Sequence, residues 1–372
     1  MDTYRLTSDI EDRYVGEIRN VYIGRSTNAT IYQNAQSGGV CTALISYLFE
    51  TEKIDGAVMC RMDFGFPPTV EGVVVTSAAE LLETQKSCYT PVDLLSALRT
   101  CSDFKSLAVV GLPCHIEAVE NLMRTSRQFS NITYRLGLIC DRTLAAGIQD
   151  FVCSLSPSNE SFKIHWREKG FRSNEHAFIY KNAPVVLHEE NGSEHMVPRY
   201  VRTCLKDMFT SPRCRVCYDK LNLFSDITLG DPWKMSGVDW ENGDSLIIAR
   251  TEKGLELLNE ALSYGAISMK PADREEMLNG QVIAKRREQV KKYSSAYRSL
   301  PFAMECSILE SYDGNTEKET SSLLAFIESE GKTKEEIRKQ ALRIVKKHER
   351  NQSIPHKLWR KTQNVIKKIW AK

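Results

Sequence analysis

The run SLAVVGLPCHIEAVENLMR, residues 106–124, constrains the fold more than any other stretch. A short apolar segment ends at Gly111, and Pro113 then opens a helical pattern, so a buried strand turns directly into a helix. That unit recurs. YRLGLICD, residues 134–141, is a strand-like run that ends at Cys140. ITLGDPW, residues 227–233, passes from a strand to Gly230, an acid and Pro232. SLIIARTEKGLELLNEAL, residues 245–262, reads strand, turn at Lys253–Gly254, helix. Upstream, VCTALISYLFE (40–50) is a helix face opened by Gly38–Gly39, while AVMC (57–60) and VEGVVVTS (70–77) read as strands. Ser77 with Glu80 three residues later predicts a capped helix, and VDLLSALRT (92–100) predicts another. Strands alternating with helices predict an α/β (α+β mixed) class.

After about residue 275 the pattern becomes polar and helical. Residues 332–350 place Ile337, Ala341, Ile344 and Val345 on one helical face. Beyond a break at Asn351–Pro355, Leu358, Trp359, Val365, Ile366, Ile369 and Trp370 stand among basic residues. From Lys332 to Lys372 there are 14 Lys or Arg and three Glu, a net charge of +11. The preceding residues carry 36 basic and 45 acidic side chains, so the whole-chain value of +2 is a cancellation. The basic amphipathic tail fits an anionic membrane surface, or packing on the acidic body. The acidic body argues against nucleic acid as a partner. A hydrophobic share of 42% with 26% charged residues excludes a fibrous or disordered chain. The expected organisation is an N-terminal arm (1–24), a cofactor-binding body (25–275) and a helical C-terminal appendage (276–372). An acidic, mixed N-terminus is no export signal. The expected location is therefore cytoplasmic, with the tail allowing peripheral contact at the inner face of the membrane.

Eleven cysteines are many for a chain expected in a reducing compartment, and an odd number fits a disulfide framework poorly. Cys214 and Cys217 form a CxxC, which suits half of a zinc or cluster site. Cys114 and Cys140, at expected strand ends beside glycine, are the best partners for it, because α/β sheets gather their sites at the carboxyl ends of strands. Four such cysteines suit a [4Fe–4S] cluster or a structural zinc, and plain burial of Cys114 and Cys140 carries equal weight. For Cys41, Cys60, Cys88, Cys101, Cys153, Cys204 and Cys306, packing or simple exposure is the favoured reading. His115, at a helix start, is read as structural.

The ordered set QNAQSGGVCTALISYLFE, KSCYTP, VVGLPCHIEAV, LGLIC and CRVCYDKLNLFSDITLGD resembles the coenzyme F420 hydrogenase/dehydrogenase beta-subunit family over roughly residues 25–260. That family includes flavin- and iron–sulfur-containing reductases, the 7-hydroxymethyl chlorophyll a reductases among them. The resemblance implies an iron–sulfur flavoprotein oxidoreductase that passes electrons between a [4Fe–4S] cluster, FAD and a small-molecule substrate. It implies Cys114, Cys140, Cys214 and Cys217 as cluster ligands. It places Ser37, Gly38, Gly39, Lys86, Ser87, Tyr89 and Asp231 around the flavin, with Lys86 as a cation suited to a reduced, anionic ring. Arg167 and Lys169 are candidates for an anionic substrate or a cofactor phosphate. Coenzyme F420 is a candidate co-substrate that no single residue demands. No cysteine precedes Cys41, so the extra N-terminal cluster of many relatives lacks ligands, and a separate electron donor or acceptor protein is expected. The alternative is a zinc- or cluster-stabilised scaffold without enzymatic activity, or an accessory protein in cell-surface polysaccharide synthesis.

Overall fold

The computed structural model describes residues 10–167, 184–298, 300 and 312–352. Lys169, Cys306 and the apolar tail residues from Leu358 to Trp370 lie outside these. The strands in chain order are β1 (Asn20–Ser26), β2 (Gly56–Asp63), β3 (Thr69–Val75), β4 (Leu107–Gly111), β5 (Ile132–Leu138), β6 (Phe162–His165), β7 (Val185–Glu189), β8 (Glu194–Val197), β9 (Ile227–Gly230), β10 (Ser245–Ala249) and β11 (Ile267–Pro271). Eight of them form one mixed sheet in the order β11-β1-β10-β9-β5-β4-β2-β3, and β6-β7-β8 form a second, antiparallel sheet. The mixed α/β class expected from the sequence is the class observed, with a helical C-terminal region.

The centre of the large sheet is parallel: β2 pairs with β4, β4 with β5, and β5 with β9. Parallel strands are covered on both faces and so read as unbroken apolar runs, and every residue of β4 and β10 is buried. On one face, helices Val40–Glu50 and Glu252–Tyr264 supply Leu44, Leu48, Leu257 and Leu258 to the main core. On the other, helix Pro113–Thr125 packs Ile116 and Val119 against Val58 and Val109. The small sheet has its own core with helices Gly147–Cys153, Arg199–Phe209 and Lys334–Gln352. The basic helix of the C-terminal region thus buries Ala341 and Val345 against the protein. Among the described residues no helix is long and apolar enough to cross a membrane.

One helix expectation changes. Ala78–Thr84 is a 3-10 helix, and Ser77 makes no side-chain cap. Instead Glu80 accepts from the Ser77 and Thr76 hydroxyls and the Thr76 N–H, which tightens the turn.

Asp226 ties the sheet together at the start of β9. Its carboxylate accepts from the Arg135 backbone N–H at 2.9 Å, the Arg135 guanidinium at 3.1 Å and the Thr251 hydroxyl at 3.0 Å. β5, β9 and the entry to helix Glu252–Tyr264 therefore meet on one side chain that is 1% exposed. Burial works to raise this carboxyl, and the charge and hydrogen bonds of Arg135 outweigh it, so the group is held below the usual carboxylate range. A depressed folded-state value contributes stability above the unfolded value of about 3.9, which is lost as pH falls through the folded one. Asp226→Ala should lower unfolding stability by about 1–3 kcal/mol at neutral pH, because it removes the charge-assisted bonds to the partly buried Arg135, which keeps Glu120 as its other partner. In urea melts from pH 7 down to 3, Asp226→Asn should lack the part of the acid-side loss that this carboxylate causes. Equal slopes for the two proteins would contradict the assignment.

Candidate functional site

The site follows from where the parallel strands end. β4 ends at Gly111, and Cys114 is the second residue of the helix that follows. The turn between them is close: a Cβ on Gly111 would lie 2.9 Å from that of His115. β5 ends at Leu138. Its continuation is held by Ile139 N–H donating to Leu229 O at 2.8 Å and Cys140 N–H donating to Lys220 O at 3.0 Å. Cys214 sits in a single helical turn, Pro212–Arg215, and Cys217 follows two residues later. Asn222 connects the three segments. In the left-handed conformation (φ 61), which Asn tolerates better than most residues, it donates to Gly111 O at 2.9 Å and to Leu138 O at 3.2 Å.

Cys114, Cys140, Cys214 and Cys217 line one cavity of about 100 Å³, with Arg142 and Arg286 beside them. Although the Cys114 residue as a whole is exposed, partial burial of its thiol, then the neighbouring Cys214, pushes that thiol up. Burial and the three other thiols push Cys140 well up. Burial takes Cys217 up to about 11, with Arg286 pulling the other way. Four thiols lining one cavity, of which Cys114, Cys140 and Cys217 are pushed up by burial and by their neighbours, are a donor set that a bound metal centre would hold as thiolates. Among the described residues, no three His, Cys, Asp or Glu side chains are gathered as a single metal ion requires. The four thiols line a shared cavity.

Two residues of the site carry no motif and were passed over in the sequence. Arg286, buried in helix Ile283–Arg298, donates to Cys217 O at 2.9 Å and Cys214 O at 3.0 Å, and so holds both ends of the CxxC turn. Gln281 is 1% exposed; its backbone carbonyl accepts from Lys220 Nζ at 2.7 Å and its side-chain amide donates to Asp231 O at 2.7 Å. Both lie beyond the expected body boundary at residue 275, so the helical region contributes to the site. His115 is half-buried, its pKa lowered by burial, and its Nδ1 accepts from Leu112 N–H at 3.4 Å, a structural place at the helix start.

The residues expected around a flavin form a second group. Ser87 N–H donates to Gln36 Oε1 at 3.1 Å, and Gln85 donates to Thr42 Oγ1 at 3.1 Å, so the Lys86–Tyr89 segment lies against the Ser37–Gly39 turn. Lys86 (φ 77) and Tyr89 (φ 54) both take left-handed backbone, and Lys86 Nζ is 3.3 Å from His165 Nδ1. Gly38 has an internal reason to be glycine. Its Cβ would lie 2.5 Å from Gly24 O and from Ser245 N, so packing on β1 and β10 accounts for it before any ligand does. Ser37 Oγ is 3.5 Å from Ser245 Oγ. Asp231 pairs with Arg167 at 2.8 Å, and Arg167 lies over Trp233. Next to Arg167, the Trp166 ring meets Tyr89 edge-on at 6.0 Å, and Arg202 covers the Tyr89 ring at 4.8 Å. Burial, Arg202 and Arg167 together lower the pKa of Arg199. Arg202 and Arg199 therefore stand beside Tyr89, with Arg167 close to Arg199, and Arg199 and Arg202, which no motif marks, were not anticipated.

If Arg286 organises the CxxC turn, Arg286→Leu should leave two buried carbonyls without donors and cost about 1–3 kcal/mol. Iron retained per chain after anaerobic purification should fall well below that of Arg286→Lys. Equal iron in the two variants would remove Arg286 from the site.

Residues 104–275 match the family model for the C terminus of the coenzyme F420 hydrogenase/dehydrogenase beta subunit, and residues 21–99 match the model for its N-terminal part. The chain is 27% identical over 305 residues to the coenzyme F420-dependent sulfite reductase of Methanocaldococcus jannaschii, covering 77% of this chain and 44% of that protein. It is 24% identical over 277 residues to the coenzyme F420 hydrogenase subunit beta of Methanosarcina barkeri, covering 71% of this chain and 86% of that one. The chain thus spans less than half of the first relative and most of the second. Among solved structures, a chain of the F420-reducing [NiFe] hydrogenase complex from Methanosarcina barkeri shares the fold, with a TM-score of 0.62, 20% identity, and coverage of 80% of this chain and 99% of that one. With both models matched in order across the sheet and the cysteine site, the chain belongs to the coenzyme F420 hydrogenase/dehydrogenase beta-subunit family.

Proposed function

We propose that this protein is an iron–sulfur flavoprotein oxidoreductase, with Cys114, Cys140, Cys214 and Cys217 as the ligands of a [4Fe–4S] cluster. The observation that carries the reading is the cavity those four thiols share at the carboxyl ends of β4 and β5. A cluster there would supply one-electron transfer, and FAD would join single electrons to a two-electron step with a small molecule such as a deazaflavin of the F420 type. Around the cluster the chain supplies Arg286, Arg142 and Lys220, cations that offset the negative charge of four thiolates. Cys114 is exposed, so electrons have a surface entry at that corner, where a separate donor or acceptor protein would dock.

The second group of residues would hold the flavin. Arg167, Arg199 and Arg202 repel one another, and an anionic ligand such as a cofactor phosphate relieves that repulsion. Lys86, held against His165, is the cation placed to favour a reduced, anionic ring. Asp231 orients Arg167 through their ion pair, and the Tyr89 ring offers a flat apolar face.

The test is anaerobic reduction of coenzyme F420 by a reduced viologen dye, followed as loss of the deazaflavin's visible absorbance. Reduction should require added FAD and should drop by at least about 100-fold, or 2.7 kcal/mol, in Cys214→Ser. Arg202→Ala should weaken FAD binding by about tenfold or more, the share expected of one charge-assisted contact. Reduction that is equally fast without FAD, or in Cys214→Ser, would contradict the proposal.

A further inference from the structure

Helix Lys334–Gln352 has one face turned into the protein and one turned out. Ala341 and Val345 are buried in the second core, and Ile337, Leu342 and Ile344 pack against it. Polar contacts tie down the flanks of that inner face. Lys334 Nζ lies 3.2 Å from Asp150 Oδ1, and Arg338 donates to Ser154 O at 3.3 Å. Glu349 accepts from the Tyr200 hydroxyl at 2.6 Å, and the His348 ring stacks on that of Tyr200. The helix is thereby held on helices Gly147–Cys153 and Arg199–Phe209.

The outward face is of one charge. Lys339, Arg343, Lys346, Lys347 and Arg350 are all exposed, and they recur at the spacing of a single helix face, opposite Ala341 and Val345. The acids of the helix do not neutralise this stripe beyond its first member. Glu335 pairs with Lys339 at 3.5 Å, Glu336 accepts from the Thr333 hydroxyl at 2.8 Å, and Glu349 is bonded to Tyr200. Arg343, Lys346 and Lys347 pair with no carboxylate among the described residues. Like charges at this spacing repel one another, so the stripe opposes helix formation slightly and contributes nothing to the packing. The rest of the chain is acidic, yet these cations point away from it.

The chain that follows indicates what they meet. Residues 353–372 start where the stripe ends and hold six Lys or Arg, no acid, and Trp359, Ile366, Ile369 and Trp370. A soluble polyanion asks only for the charge. Basic residues interleaved with Trp and Ile are the composition that settles at the boundary between lipid headgroups and acyl chains.

We propose that the outward face of helix Lys334–Gln352 docks the protein on an anionic phospholipid surface. Lys339, Arg343, Lys346, Lys347 and Arg350 face the headgroup phosphates, and the helix lies along the bilayer plane. Its apolar face stays in the second core, so the helix docks by charge and does not insert. The side of the protein built on β6-β7-β8 is then turned toward the membrane. Each basic residue near such a surface strengthens binding about fivefold. This surface is independent of the oxidoreductase reading and of any cofactor.

The test is co-sedimentation of the full chain with vesicles of phosphatidylcholine, alone or mixed with phosphatidylglycerol. Binding to the mixed vesicles should exceed binding to phosphatidylcholine by at least about 100-fold. It should weaken at least about tenfold as salt rises from about 0.1 M to about 1 M, over which the Debye length falls from about 10 Å to about 3 Å. Arg343→Gln, Lys346→Gln and Lys347→Gln together should lower the partition coefficient about 100-fold. A duplex DNA fragment at the same salt is the soluble polyanion for comparison. Equal binding to both kinds of vesicle, wild-type partition in the triple variant, or retention of DNA without binding to mixed vesicles would overturn the proposal. The lipid and salt series on the wild-type chain decide the matter even if the variant fails to fold. Neither series reads iron, flavin or activity, so failure here and failure of the oxidoreductase reading are distinguishable.

Discussion

The site depends on the two hydrogen bonds that the Asn222 amide donates to Gly111 O and Leu138 O. Parallel strands leave carbonyls at their carboxyl ends with no further ladder partner, and buried carbonyls need donors. Asn222 supplies both from one fully buried side chain. It thereby fixes the distance between the β4 exit, which leads to Cys114, and the β5 exit, which leads to Cys140. The same loop carries Cys217 five residues earlier, so one amide sets three of the four thiols relative to each other. Gly137 on β5 is glycine because Asn222 occupies the space that its Cβ would need. Asp219 completes the turn: it accepts from the Asn222 and Leu223 N–H groups while burial pushes its carboxyl up to about 6.

Electrostatics divides the carboxyl edge of the sheet into two neighbouring regions. Around the thiols, Arg286 and Lys220 are buried cations whose hydrogen bonds go to backbone carbonyls of the site itself, so their charge is held in place. Around Tyr89, Arg202 lies over the ring and Arg199 stands near it, and Arg167 close to Arg199 pairs with Asp231. Gln281 lies between the two regions and bonds to both Lys220 and Asp231. The helical region past residue 275 is therefore joined to the chemistry through Gln281 and Arg286, and its apolar seam through Ala341 and Val345 closes the second core.

Much of this was legible in the sequence, for a physical reason. Strand–turn–helix units with a cysteine after the strand mark their own carboxyl ends, so Cys114 and Cys140 could be placed beside the CxxC before any coordinates. The apolar runs of β4 and β10 announced buried strands. Less was visible where one residue's role is set by distant partners. Arg286 and Gln281 sit in a polar helical stretch whose periodicity says nothing of which carbonyls they meet. Arg199 and Arg202 lie on a helix whose neighbour, Tyr89, is more than a hundred residues away. The edge strand β11 ends in Pro271 and is too mixed to stand out.

The central claim is the identity of what the four thiols hold. Iron, acid-labile sulfide and zinc should be measured on protein purified without oxygen, with a low-temperature electron paramagnetic resonance spectrum after reduction. About four iron and four sulfide per chain, with the paramagnetic signal of a reduced cluster, are predicted. One zinc per chain with neither iron nor sulfide, unchanged by reconstitution with both, would contradict it.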